Sequence, residues 1–325
     1  MSDVGERGRG GGRFPLDLAG LVRAAEAGHA RAVGRLLTLV ENNAPELPTL
    51  MAALAPRTGH AMVVGLTGAP GVGKSTTTNA LVAALRERGQ RVGVLAVDPS
   101  SPFSSGALLG DRVRMQAHAL DEEVFIRSMA TRGHLGGLAV AAPQALRVFD
   151  AAGCDTVLVE TVGVGQSEVE IAGVADVTLV LLAPGSGDGI QAAKAGVLEI
   201  GDIFVVNKAD RDGTQALVRE LRGMIALGAT EDWKPPIVPT VAVRGEGIGE
   251  VLAAVEKYRA RAEGSGRWRR RRHDRARRVV ESLVLARRRV ELRSVRGPAL
   301  DEVADLVRDG RLDVYRAADR LLADP

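Results

Sequence analysis

Short apolar runs alternate with stretches of helical spacing from about residue 60 to residue 262. The apolar runs are continuous, which is typical of parallel strands buried on both faces. They predict strands at 62–67, 92–97, 124–127, 156–160, 177–182, 203–206 and 237–240. The stretches between them predict helices at 76–88, through 151, and at 190–200, 214–227 and 248–262. This alternation predicts an α/β fold: a doubly wound, mostly parallel sheet whose ligands lie at the carboxyl ends of the strands.

Helical patterns flank this alternating region on both sides. Apolar positions recur at helical spacing over 17–54, which predicts two or three helices before the first strand. After an arginine-dense stretch at 267–289, further helices are predicted at 299–308 and 312–322. We therefore divide the chain into a disordered lead with an N-terminal helical arm (1–57), a nucleotide-binding domain (58–262) and a C-terminal helical region (263–325).

Composition narrows the class of protein further. Hydrophobic residues make up 46% of the 325 residues but aromatic ones only 3%, so the core must be built from Ala, Val, Leu and Ile. Cys154 is the single cysteine, which excludes an intrachain disulfide and a cysteine metal cluster, and we expect a buried thiol. With no signal-peptide pattern and no apolar run of membrane-spanning length, the sequence predicts a soluble cytoplasmic protein.

The segment between the first strand and the next helix is rich in glycine. From Gly68 to Ser75 it matches G-x-x-x-x-G-K-[ST], the P-loop. Glycines let backbone N–H groups turn inward, forming a concave nest for phosphate oxygens at the positive end of a helix. Lys74 is expected to reach the β- and γ-phosphates, and the Ser75 hydroxyl to ligate Mg²⁺. The alternative is a chance glycine-rich turn, but the strand before and the helix after favour the motif. The predicted nucleotide-binding residues here are Gly68, Gly71, Val72, Gly73, Lys74, Ser75 and Thr76.

A second motif, Asn207-Lys208-Ala209-Asp210, follows directly after a predicted strand. A carboxylate at Asp210 can accept hydrogen bonds from both the ring N–H and the 2-amino group of guanine. Adenine has no matching pair of donors, so ATP would leave buried acceptors unpaired. The motif therefore favours GTP over ATP.

Three acidic residues are candidates for a metal site near the same edge of the predicted sheet. Glu160 ends a buried strand, the position at which P-loop proteins hold Mg²⁺, and the Gly163 N–H could bond the γ-phosphate. The alternative is a purely structural role, in which Glu160 caps the next turn. Asp98 also ends a strand and could face the same metal. Asp111 has only a loop position, which suits a metal ligand and a solvated acid equally well.

Six segments in this order resemble the MeaB/ArgK family of P-loop GTPases: GAPGVGKST, AVDPSS, LLGDRVRM, ETVGVGQSE, APGSGDGIQAAKAG and NKAD. The resemblance spans about residues 60 to 262, and the helical arms agree in placement. It is specific because Glu160 replaces the Asp of the usual D-x-x-G. Proteins of this family are chaperones of adenosylcobalamin-dependent acyl-CoA mutases, and were earlier described as a kinase linked to arginine and ornithine transport.

The resemblance implies a Mg²⁺-dependent GTPase that binds GTP and GDP and gates cofactor loading or protection of such a mutase. Methylmalonyl-CoA mutase is the expected partner, with its adenosyltransferase as a further one. Residues 185–194 would be a mobile segment relaying the nucleotide state, and the C-terminal helices would form a homodimer. The implied site comprises Lys74, Glu160 and Gly163 for catalysis, Ser75, Asp98, Asp111 and Glu160 for the metal, and Asn207, Lys208 and Asp210 for guanine.

Two departures from related GTPases bear on the site. Many GTPases carry a Ser-Ala dipeptide in the guanine loop, where this chain has Val241 and Ala242, so their backbone contact to the base oxygen is the weaker assignment. Gly163 is followed by Val164 rather than by a water-orienting Gln, and Gln166 lies further along. We therefore expect slow intrinsic hydrolysis that depends on a partner, which single-turnover assays of the isolated protein would test.

Other classes of function remain open at the level of sequence. The arginine stretch has one aromatic, Trp268, so it favours a dimer-forming or solvated helix over a nucleic-acid surface. Five scattered histidines with no cysteine cluster argue against a metal-delivery GTPase. A transport-linked kinase would need a protein that accepts phosphate, and a scaffold using GTP as a structural ligand would bind it without turnover.

Overall fold

The computed structural model describes residues 17–98, 118, 120–130, 138–161, 167–185, 198–228, 233–294 and 297–323. Several residues predicted to act at the site lie outside these ranges. Asp111, Gly163 and most of the 185–194 segment are among them, and no side chain is described for Asp98. The roles predicted for these residues therefore stay predictions.

In the part of the chain that the structure describes, seven parallel strands form one sheet in the order β3-β2-β4-β1-β5-β6-β7. Every neighbouring pair of strands runs parallel. The predicted α/β fold is confirmed, with strand boundaries that differ by at most a few residues. The strands are β1 (Met62–Thr67), β2 (Val92–Asp98), β3 (Val124–Ala130), β4 (Thr156–Thr161), β5 (Val177–Leu182), β6 (Ile203–Asn207) and β7 (Ile237–Thr240).

The helices lie before, between and after the strands. Within the described residues, three α-helices precede β1, the upper end of the predicted two or three. Of the helix predicted at 190–200, only the turn Leu198–Ile200 is described. In chain order the helices are α1 (Leu18–Glu26), α2 (Ala30–Glu41), α3 (Leu47–Leu54), α4 (Lys74–Glu87), α5 (Leu138–Ala151), α6 (Ser167–Val174), α7 (Thr214–Gly228), α8 (Ile248–Gly264), α9 (Arg267–Ser294), α10 (Gly297–Arg308) and α11 (Val314–Ala323).

Helices cover both faces of the sheet because successive strand residues point to opposite sides. In β1, Val63 belongs to the apolar core shared with α1, α2, α3, α5 and α6. Its neighbour Val64 belongs to a second core, shared with α4 and α8. Leu36 of α2 is fully buried in the first core, so the N-terminal arm packs on the nucleotide-binding domain.

The arginine-rich helix α9 is held on the sheet by ion pairs. Arg271 pairs with Asp202 at 2.7 Å, and Asp176 takes both Arg272 (2.9 Å) and Arg275 (3.1 Å). Asp176 immediately precedes β5 and Asp202 immediately precedes β6, so the contacts lie at the amino ends of the strands. The sequence predicts a solvated or dimer-forming helix here. That prediction is incomplete, because the amino-terminal half of α9, which carries the three ion-paired arginines, packs against the protein's own sheet.

Two further predictions, on Cys154 and on membrane-spanning segments, can be compared with the structure. Cys154 is a buried free thiol, as predicted, and burial raises the pKa of its thiol above the ordinary value. Within the described ranges, every helix is too short or too polar to span a bilayer.

Candidate nucleotide site

The P-loop joins β1 to α4 through residues 68–73. Gly68, Gly71 and Gly73 all have positive φ angles, of 141°, 78° and 98°. A Cβ atom on Gly68 would lie 2.2 Å from the Leu181 carbonyl oxygen, and one on Gly73 would lie 2.3 Å from Nδ2 of Asn207. Glycine is therefore required at both positions for backbone conformation and for space. The loop leads directly into the amino end of α4, where unpaired N–H groups favour an anion.

Lys74 lies at the start of α4 and its side chain turns back over the loop. Its Nζ atom donates to the carbonyl oxygens of Gly68 (2.5 Å) and Ala69 (3.1 Å). The ammonium group is therefore fixed beside the loop that is predicted to cradle the phosphates.

Glu160 faces the P-loop helix from the end of β4, the strand beside β1. Its side chain is 3% exposed, and Oε1 accepts a hydrogen bond of 2.5 Å from Ser75 Oγ. Oε2 accepts one of 2.9 Å from Thr78 Oγ1. The structure thus brings together two of the predicted metal ligands. These contacts run to α4, which disfavours the alternative that Glu160 only caps the next turn.

Thr78 is a site residue that the sequence analysis missed. It is buried, and its Oγ1 also lies 3.0 Å from the Lys74 carbonyl oxygen, so its one hydroxyl hydrogen is shared between that carbonyl and Glu160. Ser75 and Thr78 are three residues apart and share a helix face. That spacing was the one available signal, and it gains meaning only once Glu160 is placed opposite.

The donor set fits Mg²⁺, which prefers oxygen ligands. Ser75 supplies a hydroxyl and Glu160 a carboxylate, and the register pairs Ala96 of β2 with Glu160. Asp98 therefore follows at the same edge of the sheet. No group of three or more His, Cys, Asp or Glu that could hold a metal occurs among the residues the structure describes. The predicted Mg²⁺ site would thus combine Ser75 and Glu160 with side chains outside the described set.

Asn207 joins the P-loop to the loop after β7. It is buried at the end of β6, and its Nδ2 donates to the Val72 carbonyl at 2.9 Å. Its Oδ1 accepts from the Ala242 backbone N–H (3.1 Å) and from Thr240 Oγ1 (3.3 Å). Both acceptor sites of the amide are filled by these two bonds, and contacts with the described residues leave one Nδ2 hydrogen for a ligand.

Lys208 makes a second connection to the P-loop. Its backbone adopts a φ of 57°, unusual for a residue other than glycine, and its Nζ donates to the Gly71 carbonyl at 2.6 Å. Two residues of the N-K-x-D motif therefore hold the phosphate loop, in addition to the guanine contacts predicted for them.

The backbone N–H groups of Val241 and Ala242, which are predicted to contact the base oxygen, donate to other groups of the protein in this structure. The Val241 N–H donates to the Glu246 carbonyl at 3.0 Å, and the Ala242 N–H donates to Asn207. Both donors are therefore already used within the protein. The next N–H along the loop, that of Val243, is the better candidate for the base oxygen.

Asp210 lies at the surface beside this loop. Its side chain is 43% exposed, and Oδ2 is 3.5 Å from Nη1 of Arg244. The Ala209 N–H donates to the Thr240 carbonyl at 3.0 Å, which holds the motif against β7. The phosphate loop and the predicted guanine loop therefore form one connected surface at the carboxyl ends of β1, β4, β6 and β7.

The family model described as "Methylmalonyl Co-A mutase-associated GTPase MeaB" matches residues 33–296. The chain belongs to the MeaB family. It is a GTPase, as the sequence predicted.

Similar proteins of named function support the assignment of this chain to the MeaB family. A protein of Pyrococcus abyssi named as a GTPase is 45% identical over 94% of this chain and 95% of its own length. The Escherichia coli GTPase ArgK is 38% identical, covering 77% of this chain and 78% of its own. The mouse protein named methylmalonic aciduria type A homolog, mitochondrial, is 38% identical over 62% of this chain and 50% of its own.

Among solved structures, a crystal structure of a LAO/AO transport system kinase is similar to this chain. It superposes with a TM-score of 0.72 at 27% identity, covering 95% of this chain and 98% of its own. The likeness extends beyond the sheet, since it includes most of the flanking helices.

Proposed function

We propose that this GTPase is a chaperone of an adenosylcobalamin-dependent acyl-CoA mutase and gates cofactor loading or protection on it. The family match over 33–296 carries the proposal, since the family is described as associated with methylmalonyl-CoA mutase. The name of the mouse relative points to the same metabolism. Methylmalonyl-CoA mutase is the first partner to test, and its adenosyltransferase the second.

The geometry supports a division of labour within the site. The P-loop amides and the amino end of α4 would bind the phosphates, and Lys74 would shift from its two carbonyl partners to the β- and γ-phosphate oxygens. Ser75 and Glu160, with Asp98 and Asp111, would hold Mg²⁺. When bound, this ion supplies positive charge against the phosphate oxygens. Asn207, Lys208 and Asp210 would bind guanine, with the Val243 N–H on the base oxygen.

The reaction is in-line attack of water on the γ-phosphorus of GTP. A bond forms from the water oxygen to phosphorus while the bond to the β–γ bridging oxygen breaks, giving GDP, hydrogen phosphate and a proton that passes to solvent. Lys74 and the backbone amides of the loop, with the Gly163 N–H, would stabilise charge on the phosphate oxygens. None of these groups is a strong base, so we expect slow turnover until a partner orders the attacking water.

Hydrolysis of GTP by the purified full-length protein tests the proposal most directly. Rates are measured with GTP and ATP, alone and with a cobalamin-dependent acyl-CoA mutase from the same organism. We expect GTP-selective turnover that the mutase stimulates. GTP selectivity without stimulation would retain the GTPase site but reject this partner, and equal use of ATP would reject the role given to Asp210.

A kinase linked to amino-acid transport is the second candidate, favoured by the similarity to the LAO/AO transport system kinase. It differs in where the γ-phosphate goes, since a kinase passes it to a protein side chain and a GTPase to water. Incubation with γ-labelled GTP or ATP and cell lysate separates the two. A labelled protein band that requires Lys74 would favour the kinase, and release of inorganic phosphate alone would favour the chaperone GTPase.

A further inference from the structure

A tight loop after β7 brings an arginine next to the proposed guanine site. The loop spans 241–247 and is closed by the hydrogen bond from the Val241 N–H to the Glu246 carbonyl. Gly245 and Gly247 have φ angles of 73° and 80°, and a Cβ atom on Gly247 would lie 2.3 Å from the Pro239 carbonyl oxygen. These glycines permit the turn, which places Arg244 on the side of the loop that faces Asp210.

Arg244 lies between two carboxylates. Its Nε and Nη2 atoms bond the two oxygens of Glu246 at 2.6 and 3.3 Å. The hydrogen bond to Glu246 raises the pKa of Arg244, and the same bond lowers the pKa of Glu246. A bidentate pair fixes the plane of a guanidinium group. The remaining nitrogen, Nη1, then lies 3.5 Å from Oδ2 of Asp210.

This arrangement matters because Asp210 has little else to orient it. Its side chain is 43% exposed, and within the described residues its one ion-pair partner is Arg244. Recognition of both the ring N–H and the 2-amino group of guanine requires both carboxylate oxygens in the plane of the base. A carboxylate that is already held loses less conformational freedom when the base binds.

We propose that Arg244 is a positioning residue for guanine recognition: anchored by Glu246, it holds the Asp210 carboxylate in the orientation that accepts two hydrogen bonds from the base. The inference rests on the proposed guanine site. It predicts that Arg244 contributes more to the binding of guanine than to the binding of hypoxanthine, because hypoxanthine lacks the 2-amino group and offers only one of the two donors.

Isothermal titration of the full-length protein with GDP and with IDP tests this prediction. Wild type is compared with Arg244→Ala, Arg244→Lys, Asp210→Asn and Arg211→Ala. Arg211 is an exposed neighbour of Asp210, so its replacement removes the same charge close to the site. Thermal unfolding is followed for each variant to verify folding.

We expect Arg244→Ala to weaken GDP binding about 3- to 10-fold, the cost of ordering one side chain, and IDP binding by less than about 2-fold. The preference for GDP over IDP then falls. Arg244→Lys should resemble Arg244→Ala, because an ammonium group cannot fix two carboxylates in one plane. Arg211→Ala should match wild type in its preference.

Other outcomes overturn the inference. Equal weakening of GDP and IDP binding would mean that Arg244 covers the base or only adds charge. Wild-type GDP affinity and preference in Arg244→Lys would mean that charge alone suffices. Asp210→Asn separates this failure from failure of the guanine site. If Asp210→Asn leaves GDP binding and its preference unchanged, the guanine site is wrong. If it abolishes the preference while Arg244→Ala does not alter it, only the role of Arg244 is wrong.

Discussion

At the scale of single residues, Thr78 offers a test of the buried contact with Glu160. Thr78→Val keeps the shape but removes the hydroxyl that donates to Oε2. Because removing one partner of a buried hydrogen bond costs about 1 to 3 kcal/mol, we expect the free energy of unfolding to fall by about 2 kcal/mol. Thr78→Ser keeps the hydroxyl and should lose less. Urea denaturation measures both, and an unchanged stability of Thr78→Val would show that the hydroxyl contact with Oε2 contributes nothing.

Cys154 provides a second residue-scale prediction. Burial raises the pKa of its thiol, so the neutral form persists at pH 8 and the reactive thiolate is scarce. We expect the native protein to react slowly with Ellman's reagent at that pH, and the urea-unfolded protein to release one equivalent promptly. The single cysteine makes the count unambiguous. Prompt stoichiometric reaction of the native protein would contradict the buried assignment.

The sequence could predict the chemistry of individual residues better than their partners. The P-loop and N-K-x-D motifs specify loop conformations, so Lys74 could be placed at the start of a helix and Asn207 at the end of a strand. Glu160 and Thr78 are separated by 82 residues, and only the folded sheet shows that they meet. The sequence predicts base contacts from the Val241 and Ala242 N–H groups, because it cannot show which backbone N–H groups are already bonded within the protein.

At the scale of elements, the docking of α9 depends on Asp176. Its side chain is 1% exposed, bonds the Val63 N–H at 3.0 Å and pairs with Arg272 and Arg275. Removing one partner of a buried pair leaves the other charge uncompensated. We expect Asp176→Asn to lower the free energy of unfolding by about 3 kcal/mol, measured by urea denaturation. Asp274→Asn, an exposed change on α9, is the control, and equal stability of the two variants would refute the docking role.

The arginine-rich helix α9 could be predicted from the sequence only in part. Aliphatic residues interleaved with arginines were enough to predict a helix in this stretch. The acids that hold it could not be predicted, because Asp202 lies 69 residues from Arg271 and Asp176 lies 96 residues from Arg272. The strands were easier, since a continuous apolar run identifies a buried strand without knowledge of its neighbours.

At the scale of the whole molecule, the second half of α9 presents apolar side chains to solvent. Val280, Val284 and Leu285 are 61%, 52% and 63% exposed, and Val290 lies further along. Exposed aliphatic side chains clustered on one element favour an interface. They support the proposal that the C-terminal helices form a homodimer. The division of the chain into three domains stays a prediction.

Sedimentation equilibrium of the full-length protein tests that proposal. We expect a mass twice that of the 34.1 kDa chain for the wild type and a monomer for Leu285→Asp, because a charge in an apolar interface loses its hydration. GDP affinity should be unchanged in the variant, since α9 meets the sheet at the end opposite the P-loop. Arg289→Asp, which alters an exposed charge nearby on the same helix, is the control for charge alone. A monomeric wild type would reject the dimer, and a dimeric Leu285→Asp would place the interface elsewhere.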